Sequence, residues 1–287
     1  MQFPEVRQTF RFLQPDAQLQ VDSFLRTVAA SPASLLMLDY DGTVAPFQID
    51  KDRAYPYPGV TDLLREIVAH GRTQLAIITG RDVSHISPLL GLDPAPEVWG
   101  LHGLQRRTPD GNIHSYIPDE KTSMGLIDAK RWIDYQELQH ASEVKGASVA
   151  VHWRGLDPSD AEERRGRVLM GWNSIAHNSG LRLLDFDGGL EICASHSDKG
   201  HAVRTLLEEV EPNTPAAYLG DDLTDECAFR AIAGRGLSVL VRQRFRKTAA
   251  QVWIHPPEDL ILFLTQWLAA SSANAASNGE SKAAANS

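Results

Sequence analysis

Cysteine is scarce in this sequence: Cys193 and Cys227 are the only two among 287 residues. They lack the paired spacing of a zinc site and are too few for a disulfide framework, so a reducing compartment is expected. Long apolar runs are missing too, and no window approaches the roughly 20 residues that cross a bilayer. The opening Met1-Gln2-Phe3-Pro4-Glu5 has no basic patch followed by an apolar stretch, which argues against export. The expectation is a cytoplasmic protein with no membrane partner. Basic residues are outnumbered, 28 Lys and Arg against 37 Asp and Glu, for a formal charge of −9. With no basic stretch to offset that charge locally, no nucleic-acid partner is expected. No internal repeat is visible. Nothing in the sequence fixes an oligomeric state, and a monomer is the default.

What remains is ordinary for a folded chain, 43% hydrophobic and 23% charged, long enough for one large domain or two modest ones. Three apolar runs ending in small or acidic residues, Leu35–Asp39, Leu75–Thr79 and Ala216–Asp221, read as buried parallel strands. Between the first two, Val60, Leu63, Leu64, Ile67 and Val68 follow helical spacing, giving a strand, helix, strand unit. Leu237–Val241 reads as a further strand. Asp259–Leu268 reads as a closing helix with Leu260, Ile261, Leu264 and Trp267 on one face. The middle of the chain differs. Asp110-Gly111 signals a turn before a short strand, Ile113–Ile117, and Ala147–Val151 alternates like a half-exposed strand. Asp157–Asn178 reads as a charged helix opened by Asp157-Pro158, with Ser159 or Asp160 as candidate caps and Asn178-Ser179-Gly180 as its stop. Leu181–Ile192, centred on Asp187-Gly188-Gly189, reads as a hairpin. This is the pattern of a small α+β domain inserted into a larger α/β one. Residues 271–287 are Ala, Ser and Asn-rich with no large apolar side chain, and read as a disordered tail.

Four clusters of reactive residue types sit at strand ends or helix starts. Asp39 and Asp41 alternate where the first strand stops, so both can face one site. They suit a divalent cation, which prefers hard oxygen ligands, or they cap a turn. Thr79-Gly80-Arg81 ends the second strand, where a hydroxyl and backbone N–H groups make an anion cradle, or a helix cap. Lys199 opens a helix, where its charge opposes the helix dipole and calls for a negative neighbour, unless it is a solvated surface lysine. Asp221, Asp222, Asp225 and Glu226 crowd the end of the third strand. They either surround a cation or over-populate a helix's first turn. Independent bland explanations would have to coincide four times.

This ordered set, Asp39-x-Asp41-Gly42-Thr43, Thr79-Gly80-Arg81, Lys199 and Gly220-Asp221-Asp222-x-x-Asp225, resembles the four motifs of the haloacid dehalogenase superfamily. Gly100-Leu101-His102-Gly103, Glu143-x-Lys145, His152-x-Arg154 and Glu191 look further like the trehalose-6-phosphate phosphatases. The resemblance implies a Rossmann-like parallel-sheet α/β core, residues 1–107 and 193–270, with an inserted α+β cap domain, 108–192. It implies Asp39 as nucleophile and Asp41 as acid and base. Mg2+ would be held by Asp39, the Asp41 carbonyl and Asp221, and phosphate by Gly42, Thr79, Gly80 and Lys199. Asp222 and Asp225 would support metal or lysine, and His102, Glu143, Lys145, Arg154 and Glu191 would contact sugar. The implied reaction is hydrolysis of trehalose 6-phosphate through an aspartyl-phosphate. Two departures, Leu104-Gln105 where relatives carry an acid and Cys193-Ala194 where they carry an Arg-Pro-like pair, bear on which sugar is taken. A phosphatase of glucosylglycerol or hexose phosphate, or a silent sugar-phosphate sensor, stays open.

Overall fold

The computed structural model describes residues 17–48, 50–186, 188–195 and 198–273, without the side chains of Ala17 and Lys145. In chain order the first elements are α1 (Ala17–Ala30), β1 (Ser34–Leu38), α2 (Val60–Ala69), β2 (Thr73–Ile78), α3 (Val83–Leu90) and β3 (Glu97–Gly100). Next come β4 (Gln105–Arg107), β5 (Ile113–Ser115), α4 (Glu120–Tyr135), β6 (Ser142–Lys145), β7 (Ser148–His152) and α5 (Pro158–Ser179). The chain continues through β8 (Arg182–Phe186), β9 (Gly189–Cys193), α6 (Lys199–Glu209), β10 (Ala216–Gly220) and α7 (Glu226–Ile232). It closes with β11 (Gly236–Val241), β12 (Val252–Ile254) and α8 (Glu258–Ser272). No helix among the described residues is long and apolar enough to cross a membrane.

Two sheets result. The larger has the order β12-β11-β10-β1-β2-β3-β4-β5, parallel from β12 to β3 and antiparallel beyond it. The smaller is antiparallel, β6-β7-β9-β8. The α/β core and α+β second unit expected from the sequence are therefore present. Period-2 alternation explains the packing. Leu36, Leu38, Ala217 and Leu219 join the core cluster that includes α1, α2, α3 and α8, while Leu35, Met37, Ala216 and Tyr218 join the cluster under α6 and α7. Both faces of the parallel sheet are covered, which is why its strands read as continuous apolar runs. In the smaller sheet Val149, Val151, Leu190 and Ile192 pack beneath α4 and α5. The opposite face carries Glu143, Ala150 and Glu191 in register and looks toward the larger sheet.

The topology also locates a crevice. From β1 the chain passes to β2 and β3 on one side, whereas β10, β11 and β12 build outward on the other. Ligands of open α/β sheets bind at the carboxyl ends of strands where that order switches, here β1 and β10. Leu38 and Leu219 are partners in register, which puts Asp39 opposite Gly220, and Asp221 follows at once, so the two carboxylates leave neighbouring strand ends and their oxygens lie within 4.8 Å of one another.

Four details depart from the sequence reading. The strand at 113–115 pairs with β4 and so extends the larger sheet, although the sequence assigns it to the inserted unit. Helix α5 opens at Asp157-Pro158 as the sequence suggests, but its cap is Asp157 rather than Ser159 or Asp160, because proline is pre-organised for the first helical position. Helices α1 and α4 had no counterpart in that reading; α4 buries only Thr122, Gly125, Leu126, Ala129 and Ile133, a stripe too weak to stand out. Finally, Ser271 is buried at the end of α8 and its carbonyl accepts from Arg72 at 2.6 Å. Residues 271–273 thus belong to the fold, and 274–287 lie outside the described residues.

Candidate active site

The loop after β1 folds back at once, with the Tyr40 carbonyl accepting from the N–H groups of Thr43, Val44 and Ala45. This turn requires φ +83° at Gly42, and a Cβ there would lie 2.2 Å from Asp221 Oδ2 and 2.7 Å from the Phe47 ring. Only glycine lets this backbone approach the second acidic loop so closely. Beside it Lys199, at the start of α6, puts its ammonium 2.7 Å from Asp39 Oδ1 and 2.8 Å from Asp225 Oδ1. The negative neighbours that a lysine at a helix start calls for are therefore these two carboxylates.

Asp225 is fully buried and saturated. Its Oδ1 accepts from Lys199 Nζ and from the Tyr218 hydroxyl at 2.5 Å, and its Oδ2 accepts from the N–H groups of Asp221 at 2.9 Å and Asp222 at 2.8 Å. Asp222 caps the turn, accepting from the Leu223 N–H at 2.7 Å. Asp221 is equally buried, but its Oδ1 has no hydrogen-bond partner. An orphaned buried carboxylate oxygen is costly unless something positive meets it.

The electrostatics agree. Burial pushes the Asp39 carboxyl up to about 7, with Lys199 opposing and Asp225 adding to the rise. Burial, then the charges of Asp39 and Asp225, raise Asp221 well above the carboxylate range. Burial would raise Asp225 as well, but the Lys199 ammonium and its four hydrogen bonds hold it below the ordinary value. Burial works against the Lys199 charge, and Asp225 and Asp39 overcome it, raising its pKa. One ammonium faces three carboxylates whose oxygens lie within 4.8 Å of one another. That surplus of two negative charges fits a dication. Because both oxygens of Asp225 are already engaged, the donors left for a metal are Asp39 and Asp221.

Thr79, buried at the end of β2, accepts on Oγ1 from the Arg81 N–H at 3.1 Å, which leaves its own proton for an anion. Arg81 forks onto Asp41, Nε to Oδ2 and Nη2 to Oδ1, both at 2.6 Å. After β3, Leu101 and His102 both adopt left-handed backbone, φ 49° and 55°. Such strain costs about 1–3 kcal/mol per residue and marks functional loops. Bonds of 2.9 Å from the Leu101 N–H to the Arg81 carbonyl and from the His102 N–H to the Thr79 carbonyl maintain it. The His102 ring lies against Gly80, where a Cβ would be 2.6 Å from Cε1, and its Nε2 is 3.2 Å from Glu191 Oε2. Glu191, buried on β9, also accepts from Ser148 Oγ at 2.5 Å. Glu143 pairs with Lys51 and lies 3.4 Å from His152 Nε2. The Arg154 guanidinium stacks 4.7 Å from the Phe47 ring centroid. The Lys145 side chain lies outside the described residues.

Nearly all the residues singled out in the sequence thus converge where the two sheets face each other. Sequence reasoning missed Tyr218, Ser148 and Lys51. It also missed Arg242 and Arg246, which donate to the Asp221 carbonyl at 3.2 and 3.3 Å; Arg246 also bonds the Asp222 carbonyl at 2.5 Å. The one available signal was that Arg242 follows an apolar strand, as the other site residues do. To one side, a cleft of about 430 Å³ lies between the β8–β9 hairpin and the acidic loop, with Trp153, Phe186, Asp222, Leu223, Arg242 and Arg246 in its wall; Asp39, Thr79, Lys199 and Glu191 do not line it.

The profile of the trehalose-phosphatase family matches residues 37–251. The trehalose-phosphate phosphatase of Mycobacterium ulcerans is 31% identical over 253 residues, covering 81% of this chain and 60% of the relative. The chain therefore spans about three-fifths of that relative's length. Among solved structures, the C-terminal domain of Candida albicans trehalose-6-phosphate phosphatase aligns with a TM-score of 0.73 at 20% identity, covering 87% of this chain and 96% of that one. A haloacid dehalogenase-like hydrolase from Bacillus subtilis aligns at 0.56 and 16% identity, covering 81% and 98%. At these identities the structural likeness speaks for the fold.

Proposed function

The chain belongs to the trehalose-phosphatase family, and from that premise we propose that it is a magnesium-dependent phosphatase releasing phosphate from trehalose 6-phosphate through an aspartyl-phosphate on Asp39. The observation that carries the reading is the Lys199 ammonium 2.7 Å from Asp39, beside an Asp221 oxygen that has no partner. The ammonium aims the buried carboxylate and opposes the rise that burial imposes on it, which favours the ionised form a nucleophile needs. Asp39, Asp221 and the Asp41 carbonyl would hold Mg2+, which when bound supplies positive charge that offsets the repulsion between carboxylate and phosphate.

In this reading Asp39 attacks phosphorus while Lys199, Thr79 and the backbone at Gly42 and Gly80 hold the non-bridging oxygens. Asp41 gives a proton to the departing sugar oxygen and takes one from the water that later hydrolyses the aspartyl-phosphate. The cap is residues 108–192 apart from β5. From the cap Glu143 and Glu191 on the sheet, Arg154 just after β7, and Lys145 would engage sugar hydroxyls, joined by His102 from the core; carboxylates and guanidinium groups suit neighbouring hydroxyl pairs. Asp225, Tyr218, Arg242 and Arg246 hold the acidic loop in place.

The test is purified protein on a panel of sugar phosphates, with and without Mg2+. Trehalose 6-phosphate is expected to be the preferred substrate, and EDTA is expected to abolish turnover. A preference for glucosylglycerol phosphate or a hexose phosphate by orders of magnitude would replace the sugar assignment. Binding without phosphate release, insensitive to EDTA, would make the protein a sensor.

A further inference from the structure

Both oxygens of Asp41 are taken by one side chain. Arg81 donates from Nε to Oδ2 and from Nη2 to Oδ1, each at 2.6 Å, and its remaining terminal nitrogen donates to the Lys51 carbonyl at 2.6 Å. The Arg81 side chain is 9% exposed, against 27% for that of Asp41, and its guanidinium lies 5.5 Å from the Tyr40 ring centroid. Its backbone is fixed as well: the Arg81 N–H reaches Thr79 Oγ1, and the Arg81 carbonyl accepts from Leu101. Arg81 is thus a rigid fork anchored in the phosphate-side loop, gripping a half-exposed carboxylate that would otherwise rotate. Through the Lys51 carbonyl the fork also touches the segment whose side chain pairs with Glu143 across the gap between the sheets.

Resting on the reading of Asp41 as acid and base, we infer that Arg81 is the positioning residue that aims Asp41 at the leaving-group oxygen. Planar bidentate geometry fixes both the location and the plane of a carboxylate, which a lysine's single point charge cannot do. Proton transfer requires hydrogen-bond reach to the departing oxygen, and a misplacement of about 1 Å can cost about a hundredfold in rate. The alternative is a structural ion pair that merely pins the 51–53 turn to the core.

The two roles separate by leaving group. A sugar alkoxide needs a proton as it departs, whereas p-nitrophenolate leaves without one. Arg81→Lys is expected to lower kcat for trehalose 6-phosphate and for glucose 6-phosphate by about 10- to 100-fold. KM should stay within about threefold, and the first step with p-nitrophenyl phosphate, read as the pre-steady-state burst of p-nitrophenolate, should change by less than about threefold, while its steady-state kcat falls with the hydrolysis step that Asp41 also serves. Asp41→Asn, measured alongside, should show the same selectivity with a larger loss. A loss in the p-nitrophenolate burst as large as the loss on the alkyl phosphates in Arg81→Lys, or no loss on either, would overturn the inference. If Asp41→Asn itself spared the alkyl phosphates, the acid and base reading would fail instead. Should Arg81→Lys not fold, Arg81→Gln, which retains one donor, carries the same comparison.

Discussion

Replacing Asp225 with Asn tests whether the acidic loop is held by charge or only by shape. The two side chains are nearly isosteric, but no placement of the amide satisfies the site. One oxygen faces Lys199 Nζ and the Tyr218 hydroxyl, the other faces the N–H groups of Asp221 and Asp222, so the new NH2 meets two donors either way. Lys199 also loses one of its two carboxylate partners. Removing one member of a buried ion pair costs about 3–5 kcal/mol, a large part of the ~5–15 kcal/mol that holds a protein folded. Relief of repulsion among the carboxylates does not cancel this. In chelator, burial and its neighbours push Asp221 far above the carboxylate range, so Asp221 takes up the proton and Asp225 remains the carboxylate that answers Lys199. Thermal unfolding in EDTA should show Asp225→Asn melting about 6–20 °C below the parent, at about 2–4 °C per kcal/mol. Tyr218→Phe, which removes one of the four donors, should cost only about 1 kcal/mol. An Asp225→Asn protein that melts within about 2 °C of the parent would refute the reasoning, because shape alone would then account for the loop.

Three further outcomes follow from the same geometry. Gly42→Ala puts a Cβ 2.2 Å from Asp221 Oδ2 and should raise the Mg2+ concentration needed for half-maximal activity by about 10- to 100-fold; an unchanged titration would contradict the placement of Asp221 as a ligand. Glu191→Gln is expected to lower kcat/KM for the sugar phosphate by about 10- to 100-fold while sparing p-nitrophenyl phosphate, and equal losses would assign Glu191 to folding. Burial, then the hydrogen bond and charge of Asp198, push the Cys227 thiol up to about 11. Less thiolate is therefore present at neutral pH. Iodoacetamide should label native Cys227 at about pH 8 roughly a hundredfold more slowly than a free thiol, with the rate still climbing through about pH 10; a plateau near about pH 8.5 would refute the shift.

The sequence is most legible where function and strand endings coincide. Asp39, Thr79 and Asp221 close runs buried on both faces, so hydrophobicity alone marks the carboxyl edge of the sheet where they gather. The partners that complete the site are harder to read, since each is local nowhere in the chain. Lys51 meets Glu143 92 residues away, and Ser148 meets Glu191 at a separation of 43. Arg242 and Arg246 reach back more than 20 residues to carbonyls, groups that leave no trace in residue identity. The first helix of the smaller unit, α4, is hard to read because its buried stripe includes Thr122, Gly125 and Ala129 and only two large apolar side chains, Leu126 and Ile133. The tail was read too early because Ser271 is buried through its neighbours rather than through any apolar side chain of its own.

In the proposed reaction a carboxylate oxygen of Asp39 takes the phosphoryl group. The direct measurement is to quench the protein during turnover of trehalose 6-phosphate with Mg2+, reduce with borohydride, and sequence the peptide around residue 39 by mass spectrometry. Homoserine at position 39, absent without substrate and absent from Asp39→Asn, is the expected result. Steady phosphate release with residue 39 recovered only as aspartate, or undiminished turnover by Asp39→Asn, would contradict it.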